Sequence, residues 1–297
     1  MASFTNSIFD IGGAFAITEK DEFLGPDRVW NAINEFHQEF LPLLEAIRPF
    51  VHQLQAEGLL EARISWLAKD INEWFKERGF TIELKQTGPN TFYAGSIYEQ
   101  LVHWLHAGLK RSLQAKNGTL YPDAVFMENG VEFFTSPVHQ NHVTARLATK
   151  SEKDTVYMTV LRNPPTTPFG LLTLARDIQM SLFANHDHDG LVFPMVDLDV
   201  ETDIAWLKGL WTTQKSSGDI ARVSEAKQQS ILKMDETGAL AKSAMGMAVT
   251  LEMCVMPRPA LFINEPFLFW IAREDYPLPL FSAWVDYDTW KNPGGLE

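Results

Sequence analysis

The chain has 297 residues, 45% of them hydrophobic, and a formal net charge of −13. That length can bury a large core as one big domain or two ordinary ones, and the acidic balance, with no basic stripe, excludes phosphate-rich partners such as nucleic acids. No apolar run approaches a membrane span, and the single cysteine, Cys254, excludes an intrachain disulfide, so a soluble globular fold must rest on packing.

The N-terminus has no basic start, and Asp10 interrupts the only apolar stretch that could imitate a signal peptide. Location is therefore open, with the pattern leaning towards the cell interior. Residues 9–17 read as a strand with a glycine pair where another backbone can approach closely. From Asp27, Trp30, Ile33, Phe36 and Phe40 recur at helical spacing, and Pro42 and Pro49 predict kinks or breaks. Leu60, Ile64, Leu67, Ile71, Trp74 and Phe75 form the stripe of a second helix that stops at Gly79.

Residues 91–98 are β-rich and lead to Trp104. Asn117-Gly118 predicts a two-residue hairpin turn, although with Thr119 it also fits a glycosylation sequon. Asn129-Gly130 predicts a hairpin between 124–127 and 131–134. A strand over 155–161 ends at Asn163-Pro164-Pro165, and Leu171, Leu174, Ile178 and Leu182 mark a short amphipathic helix. Residues 192–200 alternate as one strand, and 203–210 follow as a helix.

Between Ala239 and Leu251 there is no proline, and the alternate residues Ala239, Ala241, Ser243, Met245, Met247 and Val249 carry no charge. As a strand, this segment would turn that set to one side and Lys242 to the other. As an alanine-rich run it could equally be a helix. The chain closes with two apolar runs, 267–272 and 280–285, which predict strands buried on both faces. Strands and helices mix without regular alternation, so the class is α+β.

Several polar groupings have a plain structural reading. His186-Asp187-His188-Asp189 is a solvated loop, since adjacent residues rarely converge on one metal ion. His103 and His106, at helical spacing around Trp104, and His139 with His142, in a turn, are core or surface histidines. Cys254 lacks any cysteine-protease signature around it and reads as an exposed loop thiol. No phosphate loop, dinucleotide fingerprint, nucleophile elbow or zinc-helix motif is present, so an enzyme built on Cys254 or the His-Asp run is a distant alternative, with no cofactor and no metal expected.

Asp235-Glu236-Thr237-Gly238 followed by small residues, with Val223-Ser224 upstream and Asn264-Glu265-Pro266-Phe267 downstream, resembles the hinge, reactive loop and closing strand of the serpins. Residues 71–290 carry the resemblance, and the first seventy match weakly. It implies one domain over 1–297, with three β-sheets surrounded by helices and a reactive loop over about 236–256, exposed or already inserted. It gives residues 91–98 as a central strand of the main sheet, and Ile71-Asn72-Glu73-Trp74 as part of the helix lying across its front. It assigns Glu236, Thr237, Gly238, Ala239, Ala241 and Ser243 to the hinge, and Trp104, Asn264, Pro266 and Phe267 to the structural signature. The family's spacing sets the scissile bond at Glu252–Met253. The chain departs from the family in three ways, which implies an N-terminally shortened or divergent member: the family's first helices and an early central strand have no counterpart, Gln228 stands where a histidine is usual, and Gly95 or Ser96 falls where an asparagine is usual. The implied function is suicide inhibition of a serine or cysteine protease by a metastable monomer prone to loop-exchange oligomers. The alternative is a non-inhibitory binding or structural protein with a relaxed fold.

Overall fold

The computed structural model describes residues 8–10 (backbone only), 28–87, 91, 93–100, 102–140, 142–167, 169–202, 204–237 and 258–296. In chain order the elements are β1 (Ile8–Asp10), β2 (Arg28–Asn31), α1 (Glu35–Ala56), β3 (Leu60–Ser65), α2 (Ala68–Glu77), β4 (Tyr93–Tyr98), β5 (Leu109–Gln114), β6 (Leu120–Met127) and β7 (Val131–Thr135). There follow β8 (Thr144–Ala148), β9 (Asp154–Val160), α3 (Gly170–Gln179), β10 (Phe183–Asn185), β11 (Leu191–Pro194), β12 (Val196–Thr202), β13 (Trp211–Gln214), β14 (Ile220–Arg222), β15 (Gln228–Met234), β16 (Leu261–Phe262), β17 (Phe267–Arg273) and β18 (Phe281–Val285). This is the expected α+β class.

Helix α1 begins where Asn34 caps it, its side chain accepting the His37 N–H at 2.8 Å. Phe40, Leu44, Ile47, Val51 and Leu54 make its buried stripe. Trp30, expected on that helix, instead lies in β2, ahead of the cap. The helix runs unbroken through Pro42 and Pro49, contrary to the predicted breaks. Both prolines are exposed, so water can reach the carbonyls they leave without an N–H.

The second predicted helix is half strand. Leu60–Ser65 pairs antiparallel with β4, Leu60 opposite Tyr98 and Ser65 opposite Tyr93. The four-residue spacing of Leu60 and Ile64 fits a helix, but it also fits alternation through Ala62, and tertiary pairing selects the strand. Helix α2 keeps Ile71, Trp74 and Phe75 of the stripe, leaves Leu67 exposed at its N-cap, and ends at Gly79, where the Phe80 N–H reaches back to the Phe75 carbonyl at 2.9 Å.

Five sheets form among the described residues. The largest has the order β1-β18-β17-β9-β8-β7-β10. Its central strands β17 and β18 are buried at every residue, as their continuous apolar runs predict. Phe267, Phe269 and Ile271 enter the main core, while Leu268, Trp270 and Ala272 pack with Leu171, Ala175 and Ile178 of α3. The second sheet, β16-β11-β6-β5, covers the main core from the other side. β2, β13 and β14 form a three-stranded ribbon, and the remaining strands form two pairs, β12 with β15 and β3 with β4.

Three further expectations change. Asn129-Gly130 is a corner between sheets, because β6 pairs with β5 and β11 whereas β7 pairs with β8 and β10. The stretch 192–200 is two strands: Pro194 ends β11, the Met195 N–H bonds to the Asp123 carbonyl at 3.1 Å, and β12 then joins another sheet. Of the helix expected over 203–210, one 3-10 turn remains, Ala205–Leu207, before the chain enters β13. The Asn117-Gly118 reversal does join β5 to β6, through a three-residue turn closed by the Ala115 N–H on the Thr119 carbonyl at 3.0 Å. No helix among the described residues is long and apolar enough to cross a membrane.

Candidate functional site

At its last residues before 238–257, the chain leaves β15 through Asp235, Glu236 and Thr237. Three side-on contacts hold this exit. The indole Nε1 of Trp104 donates to the Asp235 carbonyl at 3.0 Å, and the Gly108 N–H donates to the Glu236 carbonyl at 2.7 Å. Lys110 Nζ lies 2.9 Å from Glu236 Oε1, a hydrogen bond that raises the lysine pKa. Trp104 is 1% exposed and meets Phe193 edge-on, so its donor is fixed by the core. Gly108 gives room here: a Cβ would stand 2.3 Å from Val125 Cγ1 and 2.8 Å from Met127 Sδ, so a side chain there would force both to shift. Asp235 Oδ1 accepts from the Thr237 N–H and hydroxyl, both at 2.7 Å, turning the chain as it leaves the strand.

Beside this exit lies a cleft of about 520 Å³ between β15 and β4. Among the described residues β4 has one strand neighbour, β3, and β15 has one, β12. The two pairs thus face each other across the cleft. Its floor is apolar, formed by Val102, Trp104, Phe269, Ile271 and Phe281. On the β15 side Leu232 and Met234 point to the core, while Gln229, Ile231 and Lys233 turn outward. Gln228 and Ser96, at or beside the positions where the resembled family carries histidine and asparagine, both line the cleft, and Gln228 Nε2 donates to the Ser230 hydroxyl at 3.0 Å.

Helix α2 and the strap after it form the roof. Gly95 of β4 lets α2 close down, because a Cβ there would meet Phe75, Ile71 and Trp74 at 2.8, 2.9 and 3.0 Å. The strap is clamped to β15: Gln229 Oε1 accepts from Thr81 N, Thr81 Oγ1 and Ile82 N at 2.7, 3.2 and 3.2 Å. Glu225 Oε2 accepts from Lys85 N at 2.9 Å, and Asn72 brackets Leu84 with a donor and an acceptor. Gln229 is itself oriented by its amide donating to Asp199 at 2.6 Å.

The far end of 238–257 is held as well. Asp189 accepts from the Arg258 N–H at 3.0 Å and its Nε at 3.3 Å, which lowers the carboxyl pKa. The His-Asp run expected to be a plain loop is thus a loop that anchors this end. Farther on, the Asn264 carbonyl accepts from Lys116 N at 3.0 Å, the Pro266 carbonyl accepts from Leu161 N at 2.8 Å, and Phe267 is fully buried. Between them Glu265 takes Arg162 Nε at 2.6 Å and Lys116 Nζ at 2.7 Å, and these bonds, Arg162 first, hold its pKa at about 2.

Of the residues singled out in the sequence, Trp104, Glu236 and Thr237 therefore meet at one place, and Asn264, Pro266 and Phe267 lie in the closing strand region. Gly238, Ala239, Ala241, Ser243, Glu252, Met253 and Cys254 lie outside the described residues. His103 and His106 share no helix, since Trp104 between them bridges to Thr149. His139 and His142 do sit in a turn with rings 5.0 Å apart. No cluster of three metal-ligating residues forms among the described residues. Gly108, Lys110, Gln229 and Glu225 were not singled out; nothing local marks them, because the bonds that place them at the site, to Glu236, Thr81 and Lys85, span more than a hundred residues.

No protein-family model matches the chain, and no curated protein matches it. Solved structures do. Mouse protein-Z dependent protease inhibitor aligns over 94% of this chain and 90% of its own, with a TM-score of 0.55 at 14% identity. Human thyroxine-binding globulin aligns over 96% and 92%, also with a TM-score of 0.55, at 12% identity. A second thyroxine-binding globulin structure, in complex with thyroxine, gives 0.51 at 13% identity over 96% and 93%.

Proposed function

We propose that this chain, whose fold is serpin-like, inhibits a protease by presenting 238–257 as bait and taking the cut segment into the cleft between β4 and β15. The observation that carries the reading is the cleft itself: two strand pairs face each other over an apolar floor, and the bait departs from the end of β15. A segment that folds back from that end would lie antiparallel to β15 and add ladder hydrogen bonds. Its uncharged alternate residues, from Ala239 to Val249, match the floor.

In this reading a serine or cysteine protease attacks the Glu252 carbonyl carbon, the bond to the Met253 nitrogen breaks, and the new amine leaves. The Glu252 end, now an acyl-enzyme, is drawn along the cleft before water can release it. Trp104, Gly108 and Lys110 hold the pivot, while the strap over the cleft must yield.

A second reading has a specific support. The clamped strap roofs part of the cleft, whose volume suits a small ligand, and one fold neighbour is named as a thyroxine-binding protein. Under it the strap stays shut and the chain is a carrier.

Incubation with serine and cysteine proteases of glutamyl and apolar specificity separates the two. Inhibition predicts a complex that survives denaturing electrophoresis and contains the Glu252 end as an ester or thioester. Cleavage by every active protease with no trapped complex would overturn it.

A further inference from the structure

The outer face of the four-stranded sheet carries a feature that loop insertion does not use. Leu109, Phe126, Val192 and Phe262 stand in one cross-strand row from β5 to β16. Arg111, two residues from Leu109 and on the same face, spans that row. Its guanidinium carbon lies 5.8 Å from the Phe126 ring centroid and 5.7 Å from that of Phe262. Leu109 is 62% and Phe262 42% exposed, and Arg111 has no carboxylate partner among the described residues. The neighbouring cations are engaged, Lys110 with Glu236 and Arg258 with Asp189.

An arginine held within cation–π distance of two aromatic rings is restrained before any partner arrives, and its N–H groups can receive a carboxylate. Arginine and aromatic side chains with an exposed aliphatic neighbour are the composition of an interface hot spot. The face also has a defined position. β5 begins one residue after Gly108, which binds Glu236, and β16 begins three residues after Arg258. It therefore lies between the two ends of 238–257.

We propose that Leu109, Arg111 and Phe262 form a second contact surface for the protease that takes the bait, and that Arg111 selects a protease with surface carboxylates beside its active-site cleft. Charge decides the class of partner. With a net charge of −13 the chain repels an acidic protein over most of its surface, so Arg111, a cation with no carboxylate partner among the described residues, is where such a protein gains. The inference rests on the inhibitor reading above.

The test uses the full chain and a panel of serine proteases whose nucleophile is changed to alanine, so that binding is measured without cleavage. For the tightest-binding member, Arg111→Ala is expected to raise Kd about fivefold and Arg111→Glu about fiftyfold or more, with the loss shrinking as salt rises. Unchanged Kd in both variants, with melting curves showing both folded, would overturn the second surface alone. Failure of every panel member to bind the parent would overturn the inhibitor reading and this inference with it. A concentration-dependent dimer in sedimentation that Arg111→Glu abolishes would show that the face takes another copy of this chain, which also overturns it.

Discussion

Single residues in this chain set the acid limit of its stability. Glu265 and Glu57 have carboxyls held at about 2, against an ordinary 4.5: the first chiefly by its hydrogen bond from Arg162, the second chiefly by that from Lys153. Glu57 also pairs with the buried Arg273, which Asp154 grips at 2.6 Å, so the end of α1 is pinned to the largest sheet. Because the folded pKa is depressed, the unfolded chain binds protons first as pH falls. The contribution is whole above about 4.5 and disappears as pH falls towards 2. Melting temperature is thus expected to drop through that window, and Glu265→Gln should flatten part of the drop; an identical profile in the variant would contradict the assignment. At Gly95, Val should push α2 off β4 and cost about 1–3 kcal/mol by overpacking, read as a lower urea midpoint. Motif and spacing mark Trp104 and Glu236-Thr237 in the sequence, and the structure brings them together at the end of β15. Gly95 was noted in the sequence only for a missing asparagine, since its need for a bare Cα arises from a helix packed on it.

At the scale of elements, the cleft was not legible. β4 and β15 are about 130 residues apart in sequence, and only tertiary placement sets them face to face. The closing strands β17 and β18 were legible, because a continuous apolar run has few other fates. Residues 60–65 were not, because Leu60 and Ile64 satisfy both periods. Two substitutions test the elements around the cleft. Ala241→Glu would carry a charge onto the apolar floor during insertion, so the variant should be cut as a substrate and trap little protease. Trapping at the parental yield would mean that this residue does not enter. Gln229→Ala removes the acceptor that clamps the strap at three donors; losing about 1–2 kcal/mol there should speed entry of a synthetic 238–249 peptide roughly tenfold. An unchanged rate would mean that the strap is not the barrier.

For the molecule as a whole, the α+β class and serpin-like fold were legible from ordered motifs after Val192, and the structure adds the physical reason those motifs belong together. The hinge signature ends β15, the closing signature feeds β17, and the main core lies between them under the cleft. What the motifs could not carry is energy: whether the cleft is a gap waiting to be filled or a settled chamber depends on the balance of all the contacts around it. The direct measurement is thermal unfolding of the intact chain beside the same chain nicked within 248–256, with the cut located by mass spectrometry. Insertion releasing about 5 kcal/mol would raise the melting temperature of a chain this size by about 8 °C. The inhibitor account predicts such a rise. An unchanged or lower melting temperature after a complete nick would contradict it.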